Sequence, residues 1–118
     1  MVTIYKTFVF DAAHFLPNVP EGHKCSQLHG HTYHLSIYLK GYLKMPEGWV
    51  MDYGNLKTII HPILEKLDHQ LLNNVEGLEN PTAEMLVLWL WNKIKPLIPE
   101  LDRVELKETD SSGAIYGS

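Results

Sequence analysis

"HTYHLSIYLK", residues 31 to 40, alternates without a break: Tyr33, Leu35, Ile37 and Leu39 fall on one parity, His34, Ser36, Tyr38 and Lys40 on the other. A period of two with one apolar parity is the signature of a strand that buries one face. Upstream, Thr3 to Asp11 alternates as well, with Ile4, Phe8 and Phe10 on one side, Lys6 interrupting them, and Tyr5, Thr7 and Val9 opposite. Between these strands lies "FLPNVPEGHKCSQL" (15–28), where Pro17, Pro20 and Gly22 forbid a regular element. Two alternating segments joined this way predict an antiparallel pair.

Downstream the period changes. "MPEGWVMDY" (45–53) reads as a turn followed by a short strand. Leu56, Ile59, Ile60, Ile63, Leu64 and Leu67 then form one apolar stripe of a helix, which Pro62 should kink or deprive of one backbone bond. "ENPTAEMLVLWLWNKIKPLIP" (79–99) predicts a second helix, capped by Asn80, with Pro81 in its first turn and Pro96 near its end. "RVELKET" (103–109) is a strand, and "AIYG" (114–117) extends the sheet after the turn "DSSG". The expected architecture is a single α+β domain over residues 1–118, an antiparallel four-stranded sheet with two helices on one face. Two helices cover only one side of a sheet. Tyr5, Val9 and Tyr38 on the other side therefore point to an oligomer.

Composition narrows the function classes. At 118 residues, 45% hydrophobic and 20% charged, the chain suits one globular domain. A net charge of −4 with a single arginine, Arg103, argues against a nucleic-acid partner. The longest apolar run, "MLVLWLW" (85–91), falls well short of the roughly 20 residues a membrane helix needs. The alternating N-terminus does not resemble a secretory leader, and the lone Cys25 can form no internal disulfide. A cytoplasmic protein is expected.

The chemistry concentrates around "KCSQLHGHTYHL" (24–35), which holds the only cysteine and three of the seven histidines. Residues two apart on a strand point the same way, so His29 and His31 can converge, with Gly30 between them leaving room. His14 closes "FDAAH" at the end of the first strand, and antiparallel pairing would bring it beside them. Three imidazoles without a fourth protein ligand describe a catalytic zinc site with one open position. Cys25 remains open between three readings: a small buried side chain, a fourth ligand closing the site, or a thiolate acting beside the metal as base or nucleophile. Asp68-His69 is either a solvated helix end or a carboxylate–imidazole pair for proton transfer. The second reading requires the helix to have ended there, because neighbouring residues on a helix do not face each other. Glu108 shares the apolar parity of Val104 and Leu106: it is either an exposed strand end or a carboxylate that accepts hydrogen bonds from the amide edge of a heterocycle.

Together, "FDAAH", "HKCSQLHGHTYHL", "WVMDYGNLK", "LDHQLLN", "NPTAE" and "KET" resemble, in order and spacing, the 6-pyruvoyl-tetrahydropterin synthase / 6-carboxytetrahydropterin synthase family. The resemblance implies the tunnelling fold, in which three subunits join their sheets into a twelve-stranded barrel and two trimers stack into a homohexamer with active sites at subunit interfaces. It implies Zn2+ on His14, His29 and His31, Cys25 as proton acceptor, His69 with Asp68 assisting it, and Glu108 holding the pterin. The Cys-x3-His-Gly-His interval is similar to that of the bacterial 6-carboxytetrahydropterin synthases of the queuosine pathway, whose substrate is 7,8-dihydroneopterin triphosphate. Three alternatives stand beside that reading: the pyruvoyl synthase, which eliminates triphosphate without cleaving the side chain; a non-catalytic zinc module closed by Cys25; and an epimerase or aldolase of related fold acting on dihydroneopterin.

Overall fold

The computed structural model describes residues 1–117. Strands β1 (Val2–His14) and β2 (His29–Gly41) pair antiparallel over their whole length, with Val2 opposite Gly41 and His14 opposite His29. Helix α1 (Tyr53–Glu65) follows, then a two-residue strand β3 (Gln70–Leu71), helix α2 (Ala83–Ile94) and strands β4 (Leu101–Lys107) and β5 (Gly113–Gly117). The sheet order is β3-β1-β2-β4-β5. The sheet therefore has five strands where four were expected. The extra one, β3, runs parallel to β1 at Ala12 and Ala13, and two residues are too few to show any periodicity in sequence.

The alternation read in residues 31–40 is the backbone of the core. Tyr33, Leu35, Ile37 and Leu39 are completely buried, together with Phe10, Val104 and Leu106 from the neighbouring strands. Leu56, Ile60 and Ile63 of α1 and Leu86, Leu90 and Ile94 of α2 complete the same cluster, so both helices cover one sheet face. Each such side chain contributes about 1.5–3 kcal/mol by leaving water. On the other face Tyr5 is 61% exposed and Val9 56% exposed.

Two local expectations change, the short strand and the cap of the second helix, while Pro62 acts as expected. The short strand expected in 45–53 reduces to one bridge, Lys44 with Trp49, because the chain turns back through Gly48 at φ +78°. Pro62 lies inside α1 and takes away one backbone bond, yet the helix continues to Glu65. Helix α2 is capped by Thr82, whose hydroxyl accepts from the Met85 N–H at 3.1 Å, and not by Asn80; Pro81 precedes the cap and is not in the first turn. That shift leaves the Pro81 carbonyl free of the helix, and the site uses it.

Candidate metal centre and proton-transfer pair

The β1–β2 register decides which histidines meet. His14 faces His29, and Ala12 faces His31, so all three imidazoles lie on the helix side of the sheet at the end of the hairpin. One ring nitrogen from each lies within 4.8 Å of the other two. Gly30 does not make room for them. It projects to the opposite face, and a Cβ there would meet only the Ala12 carbonyl at 3.6 Å.

Backbone carbonyls fix how the rings present themselves. His14 Nδ1 lies 2.8 Å from the Pro81 carbonyl and His29 Nδ1 lies 2.7 Å from the Gln27 carbonyl. A carbonyl only accepts, so each Nδ1 carries the proton and each Nε2 presents a lone pair. The two Nε2 atoms stand 3.0 Å apart. Facing lone pairs at that distance repel unless a cation or a proton is shared between them. His31 Nε2 is buried without a hydrogen-bond partner: Glu108 Oε1 comes within 3.4 Å, but out of line for a hydrogen bond. Two donors at about 2.05 Å from one tetrahedral ion stand about 3.3 Å apart. The donor set therefore fits a divalent ion, and His14, His29 and His31 could hold one.

Burial favours the neutral, ligating form of these rings. It holds the His14 imidazole below its ordinary value, against the opposing effects of the Pro81 carbonyl and the Glu108 charge, and it lowers His31 in the same way. Beneath them Tyr33 stacks on Phe10, its rings 4.9 Å apart; burial first and the Glu108 charge second push its phenol well up, keeping it neutral.

The supports around this cluster escaped the sequence reading. The Asn73 side chain pairs with both backbone groups of Phe15, accepting at 3.0 Å and donating at 2.8 Å, which fixes the backbone just after His14. The Leu16 N–H donates to the Cys25 carbonyl at 2.8 Å and ties the cysteine's turn, Lys24–Ser26, to the same place. Cys25 is half-buried there, yet its sulfur is not part of the group of ligand atoms lying within 4.8 Å of one another. Glu108 falls just past β4, on the histidine side, with its N–H still paired to the Ser112 carbonyl at 3.0 Å.

Asp68 and His69 are elsewhere. Helix α1 has ended three residues before Asp68, and His69 adopts φ +60°, a left-handed conformation uncommon for a residue with a side chain. That turn brings Asp68 Oδ1 to 3.0 Å from His69 Nδ1, the direct pairing that a continuing helix would have prevented. The Asp11 N–H donates to the same Asp68 oxygen at 3.0 Å and is the chief reason the carboxyl sits below its usual range, with His69 adding to the effect. Asp11 and Thr32 oppose each other on the exposed parity of β1 and β2. The pair thus lies on the Asp11–Thr32 side of the sheet, beside a cleft of 530 Å³ whose walls include Asp11, Gly30, His31, Thr32, His69 and Gln70.

A family model for 6-pyruvoyl tetrahydropterin synthase matches residues 3–118. The chain belongs to that family. It is 42% identical over 124 residues to the 6-carboxy-5,6,7,8-tetrahydropterin synthase of Synechocystis sp., covering 100% of this chain and 95% of that one. It is 35% identical over 107 residues to the dihydroneopterin monophosphate aldolase of Pyrococcus furiosus, covering 88% of this chain and 87% of the relative. The solved structure of Caenorhabditis elegans 6-pyruvoyl tetrahydropterin synthase superposes with a TM-score of 0.91 at 26% identity, over 99% of this chain and 95% of that one. Among the described residues no helix is long and apolar enough to cross a membrane.

Proposed function

We propose that this protein is a zinc-dependent 6-carboxytetrahydropterin synthase, a cytoplasmic lyase of queuosine biosynthesis. It would convert 7,8-dihydroneopterin triphosphate to 6-carboxy-5,6,7,8-tetrahydropterin, acetaldehyde and triphosphate. The observation that carries this reading is the convergence of three imidazole nitrogens without a sulfur in the group, which leaves a bound ion an open face. The Synechocystis relative's name supports the carboxy product.

Zinc held by His14, His29 and His31 would supply a Lewis acid beside the substrate's side-chain oxygens. Cys25, on the turn pinned to Leu16, is the base that takes a proton from a carbon atom of the substrate's side chain. Glu108, 3.4 Å from His31, accepts from the pterin amide and amino groups and sets the ring's distance from the metal-binding nitrogens. His69, oriented by Asp68, carries the second proton. Its place on the Asp11–Thr32 side of the sheet supports supply by a neighbouring copy. The exposed Tyr5 and Val9, and the long stretch of β1 that β3 leaves unpaired, support a homo-oligomer whose sheets join into a barrel, as a dimer of trimers. Such positioned proton transfers typically contribute about 10²–10⁴-fold each.

A second reading rests on the Pyrococcus furiosus relative's name: an aldolase that breaks the side chain and leaves a hydroxymethyl pterin. Incubating the protein with 7,8-dihydroneopterin triphosphate, with and without a chelator, separates the cases. Acetaldehyde and a carboxylated pterin, both suppressed by the chelator, are expected. A phosphorylated two-carbon aldehyde would establish the aldolase, and triphosphate release with an intact side chain the pyruvoyl synthase.

A further inference from the structure

We propose that Asp11, held by Thr32, is a positioning residue that locks the His69 ring in the orientation Asp68 sets, so that His69 presents Nε2 outward. This rests on the reading of Asp68 and His69 as a proton-transfer pair. The two residues alone could not fix the ring. His69 is 77% exposed on its side chain and Asp68 43%, and an exposed ion pair between two free side chains holds little orientation.

Around them, however, the contacts close into a ring. The Thr32 hydroxyl donates to Asp11 Oδ1 at 2.5 Å, fixing that carboxylate across the β1–β2 pair. The Asp11 N–H holds Asp68 Oδ1, and the His69 N–H returns to the Asp11 carbonyl at 2.6 Å, which secures the left-handed backbone of His69. One carboxylate oxygen each from Asp11 and Asp68 and one ring nitrogen of His69 lie mutually within 4.8 Å. The imidazole therefore has two anionic groups nearby, one of them, Asp11, held across the β1–β2 pair by Thr32. Such a web of surface contacts adds little to stability, since exposed hydrogen bonds exchange for water at small gain. What it does add is order at a side chain on the Asp11–Thr32 side of the sheet. Nδ1 is taken by Asp68, and Nε2 is the nitrogen left to meet a proton donor on another surface.

The test uses the whole metal-loaded protein, with Asp11→Asn, Asp11→Ala and, in case either misfolds, Thr32→Val. The expected result is a fall in kcat of about 10- to 100-fold, as for a misplaced catalytic group, with KM within about twofold. Metal content and Tm stay at the wild-type values. In alkaline buffer, ¹⁵N shifts of the His69 ring should show one dominant tautomer in the parent and a mixture in the variants. Wild-type kcat with an unchanged tautomer overturns the proposal, and so does a fall in kcat without a change in tautomer. If His69→Gln turns over normally, the proton-transfer reading fails instead, and the nitrogen shifts still decide whether Asp11 holds the ring.

Discussion

The three histidines and the Asp68–His69 pair lie at different places on one sheet and are built differently. His14 is 1% exposed, and it and His29 come from strand residues whose register places them, with backbone carbonyls choosing their tautomers. Asp68 and His69 sit on a turn after α1, partly exposed, at a backbone conformation that a side chain rarely adopts. The first group is finished within its own protomer, since its donors point at one another. The second is open to solvent, with 77% of the His69 side chain and 43% of Asp68 exposed. Under the function proposed above, a site split in this way would work only when copies of the protein meet.

Substitutions can break that comparison, beginning with the buried half. Replacing His29 by Ala removes one of the three donors; the bound metal should be lost and turnover should drop by at least about 10⁴-fold, read by metal analysis and product release. Cys25→Ala should keep the metal and lose about 10³-fold in kcat, since the sulfur lies outside the donor group. His69→Gln should keep metal and Tm and lose about 10²-fold in kcat. Mixing that variant with Cys25→Ala sharpens the contrast: activity above either parent shows that the two halves come from different copies.

Smaller effects follow from the supports. Thr82→Ala removes the cap of α2 and should cost about 1 kcal/mol in a denaturation curve. It should also weaken metal retention, because the Pro81 carbonyl that orients His14 belongs to the same turn. The smallest effect concerns pH. Burial holds His14 and His31 below the ordinary value of 6.5, so the unfolded chain takes up protons more readily than the folded one. Their contribution to the stability of metal-stripped protein should be complete above that value and decline as pH falls below it, measured by urea midpoints across the range. Asp68 changes in the same direction at lower pH, with little weight because it is so exposed.

What the sequence made legible was whatever repeats. The alternation through Leu35, Ile37 and Leu39 placed β2, the stripe from Leu56 to Ile63 placed α1, and the antiparallel pairing brought His14 to His29. Features that depend on one contact stayed hidden. β3 exists only because Gln70 and Leu71 meet Ala12 and Ala13, and nothing in two residues announces it. Asn80 and Thr82 are both good caps, and only the geometry of the turn selects Thr82. For Asp11 the alternation gives only an exposed strand position. Its importance comes from Thr32 across the sheet and from Asp68, which is 57 residues away. The left-handed His69 is likewise a product of tertiary context, for local preference alone would favour glycine or asparagine there.

X-ray absorption at the zinc edge of the purified protein tests the centre of the account most directly. Three nitrogens at about 2.0–2.1 Å, with a light oxygen atom completing the shell, are predicted. A sulfur neighbour at about 2.3 Å, or a protein that carries no stoichiometric metal, would contradict it.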